Sequence, residues 1–132
     1  MSQHSHAVVW IDHHEARVFH FNADEVEKLV LKPGDPHVHL HHKANSIGAG
    51  HASEDHAFLH AVVEALGAAK AVLITGPGLA KTALFKHIAK HDPRTLDHVA
   101  GVETVDHPAD GALVAHARAY FRTADKLTPQ KA

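Results

Sequence analysis

The sequence contains no cysteine, which excludes disulfides, thiolate metal ligands and cysteine nucleophiles together. No apolar run approaches the roughly 20 residues that span a bilayer. The opening Met1-Ser2-Gln3-His4-Ser5-His6 lacks the basic-then-apolar pattern of a signal peptide. The expectation is a soluble, cytoplasmic protein with no membrane partner. Charge of one sign is scarce as well: 13 Lys and Arg against 15 Asp and Glu leave a formal −2. Affinity for nucleic acid at neutral pH must then come from a local patch, because bulk charge cannot supply it. Internal repeats and low-complexity tails are absent too, apart from an enrichment in histidine.

That enrichment is the dominant feature of what is present, with 17 histidines in 132 residues. Their unperturbed pKa lies just below neutrality, so full protonation would carry the formal charge to +15. The fixed charges divide unevenly. Residues 1–66 carry 4 basic and 9 acidic side chains, whereas residues 67–132 carry 9 and 6. A chain of this length forms one domain and buries a core without staples. The expected domain covers 7–126, between an N-terminal tail at 1–6 and a C-terminal tail at 127–132.

The continuous apolar run Ala7 to Ile11 suits a strand buried on both faces. Asp12-His13-His14-Glu15 makes a tight connection to Ala16–Phe21, which alternates. Asn22-Ala23-Asp24 is turn chemistry, and Val26 to Leu31 is a third strand, giving three antiparallel strands in series. Lys32-Pro33-Gly34-Asp35-Pro36 interrupts this, since proline cannot donate to a ladder. His37 to His41 alternates again and reads as an extended arm. Ser53, followed by Glu54 and Asp55, is a helix start. Phe58, Leu59, Val62, Val63 and Leu66 form its apolar stripe, and Gly67 closes it. Ala71 to Ile74 is a short buried strand. Thr75-Gly76-Pro77-Gly78 then turns into a helix with Ala80, Leu84, Phe85 and Ile88 inward, ended by His91-Asp92-Pro93. Leu96 to Val99 reads equally as a further turn of helix or as loop. Val102 to Val105 is the last strand, and Asp110 caps a final helix with Leu113, Val114, Ala117, Phe121 and Ala124 inward. The order βββαβαβα implies a single α/β domain with a ribonuclease H-like mixed five-stranded sheet. Its first strand is central and its later strands lie parallel beside it.

Several constellations invite chemistry. Thr75 to Thr82 approaches a nucleotide P-loop, but Thr75 and Ala80 stand where that motif needs glycine. What remains is a glycine-rich turn before a helix N-terminus, with Lys81 nearby, suited to an anion such as an RNA phosphate. A two-metal nuclease needs converging carboxylates. Asp12, Glu64 and Thr75 do not supply them. Histidines at metal-ligand spacing occur three times: His37, His39 and His41 along an extended segment, and the i, i+4 pairs His56/His60 and His87/His91, each able to chelate one zinc or nickel ion from a helix. Neither pair encloses the general-base Glu of a zinc hydrolase. The serines lie in tail or loop without a nucleophile elbow.

Lys43 to His56 is the seam between the strand-rich first part and the alternating remainder. It is small and polar, and Gly48 and Gly50 permit backbone shapes other residues resist. Loops held between ordered elements commonly carry function.

The span Ala7–Phe121 resembles the middle domain of the archaeo-eukaryotic peptide-chain release factors and of Pelota, and is similar to the short bacterial members called translational machinery proteins. The likeness rests on three stretches: Val8-Val9-Trp10-Ile11-Asp12 with Ala16-Arg17-Val18-Phe19; Val72-Leu73-Ile74-Thr75-Gly76-Pro77 running to Lys81-Thr82-Ala83-Leu84; and Glu103-Thr104-Val105-Asp106 with Asp110-Gly111-Ala112-Leu113. In that family the loop between the third strand and the first helix carries Gly-Gly-Gln, whose Gln is needed for peptidyl-tRNA hydrolysis in the ribosomal peptidyl-transferase centre. Here the loop reads Ile47-Gly48-Ala49-Gly50-His51, without the Gly pair and without Gln. The resemblance therefore implies the fold and an association with ribosome or RNA, but not the reaction.

The combined reading is a non-enzymatic, translation-associated bacterial protein that requires no cofactor. It contacts ribosome or RNA through the 43–52 loop with Lys43, Gly48, Gly50 and His51, aided by His41 and His42, and through Lys81. One rival is a metal-binding or pH-responsive protein with His37, His39 and His41 as zinc or nickel ligands. Another is a peptidyl-tRNA hydrolase acting in ribosome rescue, with His51 in the place of Gln.

Overall fold

The first strand, β1 (His6–Ile11), sends its side chains alternately to two helical layers, which is why it is apolar without interruption. The computed structural model describes residues 5–34 and 50–127, with side chains over 5–34 and 56–123. After β1 come β2 (Ala16–Phe21), β3 (Val26–Leu31), α1 (Gly50–Leu66), β4 (Ala71–Gly76), α2 (Ala80–His91), the short α3 (Pro93–Leu96), β5 (Val99–Thr104) and α4 (Asp110–Leu127). The sheet order is β3-β2-β1-β4-β5. β2 runs antiparallel to both β1 and β3, while β4 is parallel to β1 and to β5. The mixed five-stranded sheet with a central first strand is thus the architecture expected from the sequence.

Ala7, Val9 and Ile11 face a core built with Phe58, Val62 and Leu66 of α1 and Leu84 and Ile88 of α2. Val8 and Trp10 face the other way, against Leu113, Val114, Ala117 and Phe121 of α4. Both hairpins close by one device. The Asp12 Oδ1 accepts the backbone N–H of His14 and Glu15 at 2.8 and 2.9 Å, and the Asn22 Oδ1 accepts those of Asp24 and Glu25 at 2.8 Å each. A short side chain that imitates the backbone is the reason Asp and Asn recur in turns. Gly67 ends α1 at φ +59°, the left-handed conformation that glycine reaches without a Cβ penalty.

Some boundaries differ from the sequence expectation. α1 starts at Gly50, three residues before Ser53. α3 begins before the ambiguous Leu96–Val99, of which only Leu96 is helical and Val99 already belongs to β5. The Asp92 carboxylate accepts the Thr95 N–H and hydroxyl at 3.3 and 2.9 Å and caps α3, with Pro93 at its first turn. These bonds hold the Asp92 carboxyl below its ordinary pKa. β5 begins at Val99, not Val102, and pairs with β4 across a register irregularity at Val72/Leu73. The small pair Ala100-Gly101 hides it from a periodicity reading. A Cβ on Gly101 would come within 2.4 Å of the Tyr120 hydroxyl, which donates to the Ala100 carbonyl at 3.0 Å. On β3 only Leu31 is buried, and Val26, Leu29 and Val30 are exposed, because an edge strand lies beyond most of the helical cover. Asp110 opens α4, and its carboxylate binds Lys28 and Arg17. Those two hydrogen bonds, Lys28 first, lower its pKa.

Gly76 has a demanding position. A Cβ there would lie 2.2 Å from the Ile11 carbonyl oxygen, a backbone atom that cannot step aside. Gly76→Ala should therefore cost about 1–3 kcal/mol or more, as overpacking does. Gly78, with nothing within 4 Å of its Cβ site, should tolerate alanine to within about 0.5 kcal/mol. Urea unfolding of the two variants checks this, and equal effects would contradict it.

Candidate functional site

The C-terminal end of β1 meets the start of α2 beside Phe58 and Leu59 of α1, and β4 leads into the same turn. Thr75 is fully buried and its hydroxyl donates to the Val9 carbonyl at 2.9 Å, so it ties β4 to β1. After Gly76 the chain turns through Pro77 and Gly78 to Leu79, which is 76% exposed and gives α2 no side-chain cap. Uncapped N–H groups at a helix start carry partial positive charge. The Lys81 ammonium adds to it, donating to the Gly78 carbonyl at 2.6 Å. The turn thus combines uncapped N–H groups with one ammonium. Beside it a cavity of about 120 Å³ is lined by Asp12, Phe58, Leu59, Ala80 and Ala83 among others.

Gly50 and His51 form the first residues of α1. The remaining loop residues Lys43 and Gly48, and the expected metal ligands His37, His39 and His41, lie outside the described residues, as does the His51 side chain. Asp12, Glu64 and Thr75 are not brought together. Asp12 shapes its turn, Glu64 faces His60 at 3.4 Å on the surface of α1, and Thr75 is internal.

One convergence was visible in the sequence only as separate halves. His56, from the second turn of α1, meets His87 and His91 from the end of α2, and ligand nitrogens of the three lie within 4.8 Å of one another. Among the described residues no other group of three or more His, Asp or Glu side chains is arranged to share an ion. The two i, i+4 pairs therefore do not act as two separate chelates: one member of the first joins both members of the second. The His56 ring lies 4.8 Å from His87 and 5.1 Å from His91, and His87 and His91 are 4.6 Å apart. His60 stands further off, 6.1 Å from His87. His87 takes an inward place on α2 beside Leu84 and Ile88, while Phe85 is only half-buried. It is 7% exposed and its Nε2 has no hydrogen-bond partner. Burial, and then the neighbouring His56, His91 and His60, push its pKa down to about 4. The signal in the sequence was that His87 stands three residues after Leu84 and directly before Ile88, at the margin of the apolar stripe.

On the opposite face a cavity of about 300 Å³ lies between Phe21, His6, Phe121, Arg118 and Arg122. Arg118 donates to the Asn22 carbonyl at 2.9 Å and stacks over Phe21 at 5.6 Å, which makes it largely a packing residue.

No protein-family model and no curated protein matches the chain. Its fold is shared with parts of the solved structures of two Pelota proteins and an archaeal translation termination factor. Pelota from Archaeoglobus fulgidus superposes with a TM-score of 0.59 at 14% identity, covering 86% of this chain and 30% of that one. Pelota from Thermoplasma acidophilum gives 0.55 at 18% identity, covering 83% and 30%. An archaeal translation termination factor gives 0.54 at 17% identity, covering 92% and 38%. The chain thus spans about a third of the length of these proteins. Among the described residues no helix is long and apolar enough to cross a membrane.

Proposed function

We propose that this domain acts at the translation apparatus in the cytoplasm as a binding module, contacting ribosome or RNA with the 43–52 loop and with Lys81. The observation that carries this reading is the fold shared with two Pelota proteins and a translation termination factor. The local arrangement supports it. α1 begins at Gly50, inside the segment that stands where release factors carry Gly-Gly-Gln, and α1 extends about 12 Å from there to Phe58, beside the electropositive Gly78–Lys81 turn. Binding is favoured over hydrolysis because Ile47-Gly48-Ala49-Gly50-His51 offers no glutamine to position a water on peptidyl-tRNA.

Pelleting of ribosomes with the full chain tests this. The protein should co-sediment at low salt, and deletion of Gly48–His51 should weaken binding by about tenfold or more, as loss of a central contact does. Lys81→Ala should lower the slope of log affinity against log salt by roughly one unit, the signature of one phosphate contact. Absence of co-sedimentation at low salt would overturn the proposal. Binding indifferent to the deletion would remove the loop from it.

A further inference from the structure

We propose that His56 of α1 with His87 and His91 of α2 forms a binding site for one divalent first-row transition-metal ion of the zinc or nickel type, with a fourth coordination position open to solvent. The inference does not depend on the role in translation.

The geometry comes first. His87 and His91 are one turn apart on α2, so both rings project from the same side, and His56 reaches the same point from the facing helix. Their ligand nitrogens lie within 4.8 Å of one another. At Zn–N distances of about 2.0–2.1 Å, tetrahedral ligands stand about 3.3 Å apart, so the nitrogens need to close by at most about 1.5 Å. His56 and His91 are exposed, while His87 is buried, which makes it the anchor.

The second observation is the orphaned Nε2 of His87. A buried ring nitrogen without a partner is costly, and native structures avoid it. If this histidine merely packed the helix interface, leucine would fill the position without leaving a polar atom unpaired. Coordination through Nε2 would satisfy that nitrogen. The ligand chemistry then narrows the choice. An all-imidazole set suits zinc, nickel or copper and is wrong for calcium and magnesium, which take oxygen. Three protein ligands with a free fourth position is the pattern of an open site. His60, held toward Glu64 at 3.4 Å, stays outside it. An ion bound here would clamp the second turn of α1 to the last turn of α2.

The test is titration of the full, untagged, EDTA-stripped chain with Zn²⁺ and, separately, Ni²⁺. One ion should bind per chain, and the thermal midpoint should rise with ion concentration by mass action. His56→Ala and His91→Ala change exposed residues and should leave folding intact. Each should weaken binding by more than the roughly 10–100-fold that loss of an outer-shell partner costs, and abolish the thermal shift. A triple His37→Ala, His39→Ala, His41→Ala variant should bind like the wild type. No binding of either ion, or binding unchanged in His56→Ala and His91→Ala, would overturn the proposal, as would binding lost in the triple variant alone.

Discussion

Trp10→Ala should cost about 3–5 kcal/mol of stability, the range for truncating a large aromatic in a core. Trp10 is fully buried on the central strand and fills the layer between the sheet and α4. Its role exceeds volume. The indole N–H donates to the carbonyls of Asp106 at 2.6 Å and Val105 at 3.2 Å, fixing the segment that leads into α4. The Arg17 guanidinium rests over its ring at 4.6 Å and binds Asp110 at 2.6 Å and the Pro108 carbonyl at 3.1 Å. Alanine removes the indole, leaves two partly buried carbonyls without their donor and takes away the surface that positions Arg17. Trp10→Phe keeps most of the volume and loses the hydrogen bonds, so it should cost about 1–2 kcal/mol. Urea unfolding followed by circular dichroism is the measurement, because the only tryptophan is the residue changed. An alanine variant within about 1.5 kcal/mol of wild type would show that α4 is held by other contacts.

The features of the fold that the sequence made legible are those governed by local periodicity and turn chemistry. The unbroken Ala7–Ile11 run announced a strand covered on both faces, and the structure puts it at the centre of the sheet. Asp12, Asn22 and Gly67 marked the ends of elements for reasons confined to two or three residues, and each acts as expected. The start of β5, Val99-Ala100-Gly101, escapes a periodicity reading because it is defined by pairing to β4 across an irregular register and by the space Tyr120 needs. Neither is written in the segment itself. The candidate site divides in the same way. Lys81 beside a glycine-rich turn could be read from adjacent residues. The His56–His87–His91 group could not, since i, i+4 spacing relates residues on one helix and says nothing of a ring arriving from another. That juxtaposition depends on how α1 and α2 pack over Val9 and Ile11.

In the metal-free protein, His87→Leu should make folding markedly more resistant to acid. The His87 pKa is lowered from 6.5 to about 4 by burial, helped by His56 and His60 on α1 and His91 on α2. Above pH 6.5 the ring is neutral in both the folded and the unfolded chain, so its titration has no effect on stability. As pH falls from 6.5 toward 4, the unfolded chain takes up a proton that the folded chain refuses, and stability declines. Proton linkage puts the loss at about 2–3 kcal/mol by pH 4.5. Leucine fits the same apolar surroundings, leaves no ring nitrogen unpaired and cannot titrate. At pH 7.5 the variant should therefore lie within about 1 kcal/mol of wild type, or above it. At pH 4.5 it should exceed wild type by about 2 kcal/mol more than it does at pH 7.5. The other 16 histidines are common to both proteins, and their contributions largely cancel in this difference of differences. Urea midpoints at the two pH values, measured in EDTA, give the result. Parallel pH dependence in the two proteins would mean that His87 protonates as readily folded as unfolded, and that the space between α1 and α2 is wetter and looser than 7% exposure implies.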